Sequence, residues 1–255
     1  MWRKLATLVL TLVIPGLAGC DTGTAEEARA EHRQPAPAPV APAPAAHRDE
    51  RNEGPLVIFL GDSLTAGQGL AEDQAYPAVL DRRLDAEGMP ARVLNAGVSG
   101  DTTAGGLARL GWLLKQKPDV LVVGLGANDG LRGLDLGETE KNLREIVRRG
   151  KASGARVLLL GMMIPPNYGP DYTEQFRDIY PRIAKDLDVP LVPFLLDKVG
   201  GLAELNQADG VHPTARGQEM VADNVEPYLV KLLPDGSQER DVRLSPTRTG
   251  ADDVP

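Results

Sequence analysis

Between residues 55 and 233 the chain alternates five short apolar runs with five longer amphipathic stretches, and this alternation limits its architecture more than any other feature. The apolar runs, residues 56–60, 92–95, 120–125, 157–163 and 191–195, are rich in Leu, Val and Ile and read as strands of a buried sheet. Helical spacing of apolar residues follows each run, over residues 76–86, 102–115, 138–152, 172–187 and 214–232. The stretch 138–152 opens on acidic and closes on basic residues, as the helix dipole favours. Parallel neighbours need a crossover that a helix supplies, so five strand-then-helix units imply a five-stranded, mostly parallel sheet with helices on both faces. The expected fold is therefore a three-layer α/β domain of flavodoxin-like kind over residues 55–233, with no internal repeat.

The segments outside this domain have a different chemistry. Residues 1–19 place Arg3 and Lys4 before an apolar run too short to span a bilayer, then small residues, which is the pattern of an export signal. Leu17-Ala18-Gly19-Cys20 resembles the bacterial lipoprotein lipobox, and Cys20 is the only cysteine of the chain. The expectation is lipidation at Cys20, attachment to a membrane through that lipid, and a place in the bacterial cell envelope facing the periplasm or exterior. Residues 20–54 then form an Ala- and Pro-rich spacer that cannot build a core and favours extended polyproline conformations. Residues 234–255 are polar and aperiodic and read as a disordered tail.

Charge and composition exclude several functions. With 28 Lys plus Arg against 36 Asp plus Glu, the net charge is −8, which repels nucleic acid and anionic lipid alike. One cysteine cannot form an internal disulfide, and one cysteine with three histidines is too sparse for most zinc sites. No metal is expected. His32 and His47 lie in the spacer, so His212 is the sole histidine of the domain.

Ligands of open parallel sheets bind beyond the carboxyl ends of the strands. The first strand is followed by Gly61-Asp62-Ser63-Leu64, the second by Asn95 to Asp101 with Gly100, the third by Gly126-Ala127-Asn128-Asp129 and the fifth by Asp209-Gly210-Val211-His212. Ser63 offers a hydroxyl on a rigid mounting, outside any Gly-x-Ser-x-Gly elbow. A serine nucleophile needs a base and donors for the oxyanion that develops. His212 is the one candidate base, and Asp209 is spaced to select its tautomer. Gly100 offers a backbone amide at close approach and Asn128 a side-chain amide. Asp62 and Asp129 read as hydrogen-bond acceptors that fix their loops rather than as catalytic acids.

These four blocks, in this order, resemble those of the SGNH (GDSL) hydrolase family over residues 56–230. The likeness extends to its bacterial thioesterase, lysophospholipase and arylesterase branch through Gly106-Leu107-Ala108-Arg109-Leu110, Gly130-Leu131-Arg132-Gly133 and Pro166-Asn167-Tyr168-Gly169. The resemblance implies a serine esterase without metal or organic cofactor, acting on carboxylic ester or acyl thioester bonds through an acyl-enzyme. It implies Ser63 as nucleophile, His212 as base, Asp209 as its orienter, and the Ser63 and Gly100 amides with the Asn128 side chain as oxyanion donors. Leu131 and Leu134, on a Gly-rich lip beside Asn128, and Met163, leaving the fourth strand, are the expected substrate contacts. The same machinery would serve an envelope glycan deacetylase, and the fold without turnover would serve a lipid-tethered binding module.

Overall fold

The computed structural model describes residues 54–234. The expected leader, Cys20, the spacer up to residue 53 and the tail beyond Pro234 lie outside them. Five parallel strands, β1 Leu56–Gly61, β2 Arg92–Gly97, β3 Val120–Gly124, β4 Arg156–Leu160 and β5 Leu191–Val192, form one sheet in the order β2-β1-β3-β4-β5. The helices are α1 Ser63–Ala66, α2 Tyr76–Ala86, α3 Thr103–Leu114, α4 Ala127–Leu131, α5 Leu136–Ala152, α6 Pro170–Leu187 and α7 Ala215–Leu229. α3, α5 and α6 pack side by side in one layer and α2 packs with α7 in the other, as right-handed crossovers require. The expected three-layer α/β fold is thus observed.

Burial explains the strand composition. β1 and β3 are covered on both faces and are buried at every residue, whereas the edge strand β2 is only partly covered. Phe59 meets Tyr76 of α2 edge-on, with ring centroids 5.6 Å apart, and so seats α2 on the sheet.

Two strands are shorter than the apolar runs suggest. β4 ends at Leu160 rather than residue 163, and β5 covers only Leu191–Val192 rather than residues 191–195. After Val192 the next bond to β4 comes from the Leu195 amide onto the Gly161 carbonyl at 2.9 Å, one residue later than a regular parallel ladder requires, so the β5 ladder ends there. Two short helices, α1 and α4, carry no periodic signal because each is little longer than one turn. Both ends of the described domain lie at the amino edge of the sheet. The Arg92 amide at the start of β2 donates to the Pro55 carbonyl at 2.9 Å, and Arg156 at the start of β4 donates to the Leu232 carbonyl at 2.6 Å.

Candidate active site

The sheet order reverses at β1: the chain leaves β1 toward β2 on one side, then crosses back to β3 on the other. The loops after β1 and β3 diverge there and open a crevice at the carboxyl edge. Ser63, Gly100, Asn128 and the Asp209–His212 loop all emerge on this edge.

Ser63 is the first residue of α1 and is 9% exposed. Asp62, fully buried, caps that helix by accepting from the Leu64 amide at 3.0 Å. The expected loop-fixing role of Asp62 is observed. Its burial pushes its pKa up to about 6, against the lowering effects of the Leu64 amide and of His212 nearby.

His212 Nε2 lies 2.9 Å from Ser63 Oγ, and His212 Nδ1 lies 2.7 Å from Asp209 Oδ2. Asp209 Oδ1 also accepts from the amides of Val211 and His212, at 2.9 and 3.0 Å. One carboxylate therefore folds the turn that presents the imidazole and orients the ring. These bonds, the His212 amide first and then the His212 side chain, hold the Asp209 pKa down to about 2. An ionised Asp209 only accepts, so Nδ1 carries the proton, Nε2 is left as an acceptor, and the Ser63 hydroxyl donates to it.

The donors expected for an oxyanion border this group. Ser63 opens α1, so its N–H has no intrahelical acceptor. Gly100 sits at φ 78° in a turn closed by the Asp101 amide on the Val98 carbonyl at 3.0 Å, a conformation that suits glycine. Asn128 Nδ2 donates to the Asp101 carbonyl at 3.0 Å and makes a longer, 3.4 Å contact with Asp62 Oδ2. Arg132 Nη2 bridges the Gly100 carbonyl at 3.0 Å and Asn128 Oδ1 at 3.4 Å, which sets the amide orientation of Asn128. Asp129 accepts from the amide and hydroxyl of Thr103 at 2.9 and 2.6 Å, tying α4 to the start of α3 as expected of a fixing residue.

The three expected substrate contacts differ in exposure and surroundings. Met163 is exposed and lines a surface cavity of ≈ 320 Å³ with Ile164, Pro170, Thr173, Glu174 and Arg177. Leu131 is half-buried against the core, and Leu134 is exposed. Residues 130–134 are strapped down: Tyr168 Oη donates to the Leu131 carbonyl at 2.7 Å, and Tyr172 Oη reaches the Gly130 and Leu134 carbonyls at 3.3 and 3.2 Å. The two tyrosines stack with ring centroids 6.3 Å apart; Tyr168 belongs to the Pro166-Asn167-Tyr168-Gly169 block of the resemblance, whereas Tyr172 carries no signal in the sequence because what it holds is backbone. Met162 packs into the core. Among the described residues, no His, Cys, Asp or Glu cluster is suited to a metal ion, and no helix is long and apolar enough to cross a membrane.

Residues 59–220 match the GDSL-like Lipase/Acylhydrolase family. Esterase TesA of Pseudomonas aeruginosa is 47% identical over 178 residues, 69% of this chain and 89% of that protein. Thioesterase 1/protease 1/lysophospholipase L1 of Escherichia coli is 44% identical over 178 residues, 69% of this chain and 84% of that protein. A crystal structure of TesA superimposes with a TM-score of 0.68 at 46% identity, covering 70% of this chain and 99% of that one.

Proposed function

The chain belongs to the GDSL-like lipase/acylhydrolase family and is a carboxylic ester hydrolase, and we propose that it works through an acyl-enzyme on Ser63. The unbroken hydrogen-bonded line from Asp209 through His212 to Ser63 carries this reading. Ser63 Oγ attacks the substrate carbonyl while His212 Nε2 takes its proton. The carbonyl oxygen gains the negative charge and accepts from the Ser63 and Gly100 amides and from Asn128 Nδ2, which turns from its present acceptors. Collapse of the tetrahedral adduct expels the alcohol or thiol, protonated by His212. Water then repeats the sequence, with His212 as base, and releases the carboxylic acid and free Ser63.

Lysophospholipids and acyl thioesters are proposed substrates, supported by the activities for which the Escherichia coli relative is named, and arylesters are proposed with them from the resemblance of the sequence blocks. Leu131, Leu134 and Met163 are proposed to border the acyl chain. Attachment to a cell-envelope membrane through a lipid on Cys20 is supported by the sequence Leu17-Ala18-Gly19-Cys20.

The test is turnover of p-nitrophenyl esters from acetate to palmitate and of acyl-CoA thioesters by the purified protein and its Ser63→Ala variant. Turnover by the former and none by the latter is expected. Equal turnover by both would remove Ser63 from the mechanism, and activity on acetate alone would favour a deacetylase. Cys20→Ala should release the protein from the membrane fraction; retention there would count against lipidation.

A further inference from the structure

Arg109 is the only charged residue of α3, and its side chain is three-quarters buried. Each of its three guanidinium nitrogens has its own acceptor. Nε donates to Asp101 Oδ2 at 2.8 Å, Nη1 to the Ala96 carbonyl at 2.6 Å and Nη2 to the Gly61 carbonyl at 2.9 Å. These acceptors lie where the candidate site is built: Gly61 ends β1 two residues before Ser63, Ala96 is next to last in β2, and Asp101 follows Gly100. Asp101 also accepts from Asn128 through its own carbonyl. Space for its carboxylate is reserved, because a Cβ at Gly105 would stand 1.9 Å from Asp101 Oδ1.

The pairing of β1 with β2 ends at Gly61 and Gly97; beyond it the Val98 amide still donates to the Gly61 carbonyl at 3.0 Å, and Asn95 Nδ2 ties β2 to the Thr65 carbonyl of α1 at 2.9 Å. Neither bond reaches Gly100, two residues beyond Val98 and five beyond Asn95. We propose that Arg109 is a positioning residue for the hydrolysis, setting the separation between Ser63 and the oxyanion donors Gly100 and Asn128 by bridging Gly61, Ala96 and Asp101. This inference rests on the roles given above to Ser63, Gly100 and Asn128. A planar guanidinium with fixed directions suits the task; a lysine keeps the charge but has a single nitrogen and cannot hold three divergent acceptors in this geometry.

The experiment compares Arg109→Lys and Asp101→Asn with the wild type, each alone and with Asn128→Ala, on p-nitrophenyl butyrate, with thermal midpoints measured alongside. For Arg109→Lys, kcat is expected to fall about 10- to 100-fold, the scale for misplacing reacting groups by up to an ångström, with KM little changed. Asp101→Asn should show the same pattern to a smaller degree and covers the case in which Arg109→Lys fails to fold. In the Asn128→Ala background the further loss from either substitution should be smaller than in the wild type, because coupled residues are not additive and only the Gly100 donor is then left to be misplaced. Wild-type kcat in both folded variants would overturn the proposal. So would an undiminished loss in the Asn128→Ala background, which would assign Arg109 to packing alone. Ser63→Ala, run in parallel, separates the two levels: residual turnover there defeats the site reading itself, whereas an inactive Ser63→Ala beside fully active Arg109 and Asp101 variants defeats only this inference.

Discussion

Gln218, in the first turn of α7, donates from Nε2 to the carbonyl of Leu64, the residue after Ser63, at 3.2 Å. Its Oε1 accepts from the Tyr76 amide at 2.8 Å, and the side chain is buried. α7 starts just after His212, so this amide joins the turn that carries the hydroxyl to the helix behind the imidazole. Gln218→Leu keeps the volume and leaves a buried carbonyl and a buried amide without partners, at about 1–3 kcal/mol each. We expect a lower thermal midpoint, and a kcat loss that persists well below it with KM little changed. A variant with lowered midpoint and wild-type kcat would leave Gln218 a purely structural role.

Asp209→Asn tests the orientation of His212. The new side chain can still accept from the backbone amides through its oxygen, but a nitrogen facing Nδ1 cannot accept its proton. The imidazole then favours the wrong tautomer, and kcat should fall by about 10³- to 10⁴-fold, with KM nearly constant. Stopped-flow or steady-state release of p-nitrophenol measures this directly.

Asn128→Ala removes one oxyanion donor and should lower kcat by about 10²- to 10³-fold. Ser63→Ala and His212→Ala should fall further. An Asn128→Ala enzyme within a few-fold of wild type would take Asn128 out of the oxyanion site.

Tyr168→Phe loses the bond to the Leu131 carbonyl and keeps the ring that stacks on Tyr172. A single exposed hydrogen bond contributes about 0.5–1.5 kcal/mol, so the strap over residues 130–134 should loosen without unfolding. KM for octanoate and longer p-nitrophenyl esters should rise by about 2- to 10-fold, the same energy expressed as affinity, while acetate turnover is unchanged. An equal change for all chain lengths would detach the strap from acyl-chain binding.

The buried Asp62 carboxyl makes stability depend on pH. Its pKa of about 6 in the fold stands above the ordinary carboxylate value of 3.8, so the folded protein binds this proton more tightly than the unfolded chain does. The contribution is fully present below pH 3.8 and is lost as pH rises through about 6, amounting to on the order of 3 kcal/mol. Asp209 works in the opposite sense, losing its contribution as pH falls through about 2, outside that window. Between pH 4 and 7, the thermal midpoint of Asp62→Asn should therefore rise relative to wild type. Parallel curves for the two proteins would show that Asp62 does not titrate there.

The alternation of apolar and amphipathic stretches was enough to read the layered fold, because a strand buried on both faces leaves an uninterrupted apolar run, as in β1 and β3. The scarcity of histidine singled out His212, and Asp209 three residues earlier followed from spacing. Arg109 stands in a block that carries the family resemblance, yet its role did not follow from the sequence, and Gln218 escaped altogether, because their main acceptors are backbone carbonyls, which leave no trace in residue identity. Gln218 and Leu64 are also 154 positions apart. Beside that block, a lone charge in the otherwise uncharged α3 was a further signal for Arg109. α1 and α4 are too short for any period to register, yet they decide where Ser63 and Asn128 point.

The placing of Pro55 and Leu232 at the amino edge has a practical side. A bead, electrode or fusion partner coupled at either end of the domain would meet the side of the sheet opposite Ser63, and substrate diffusing from bulk solution would reach the hydroxyl unobstructed. Coupling through an introduced cysteine at Val98, beside Gly100, would shutter the mouth instead. An immobilised catalyst made from this chain should keep its turnover in the first arrangement and lose it in the second.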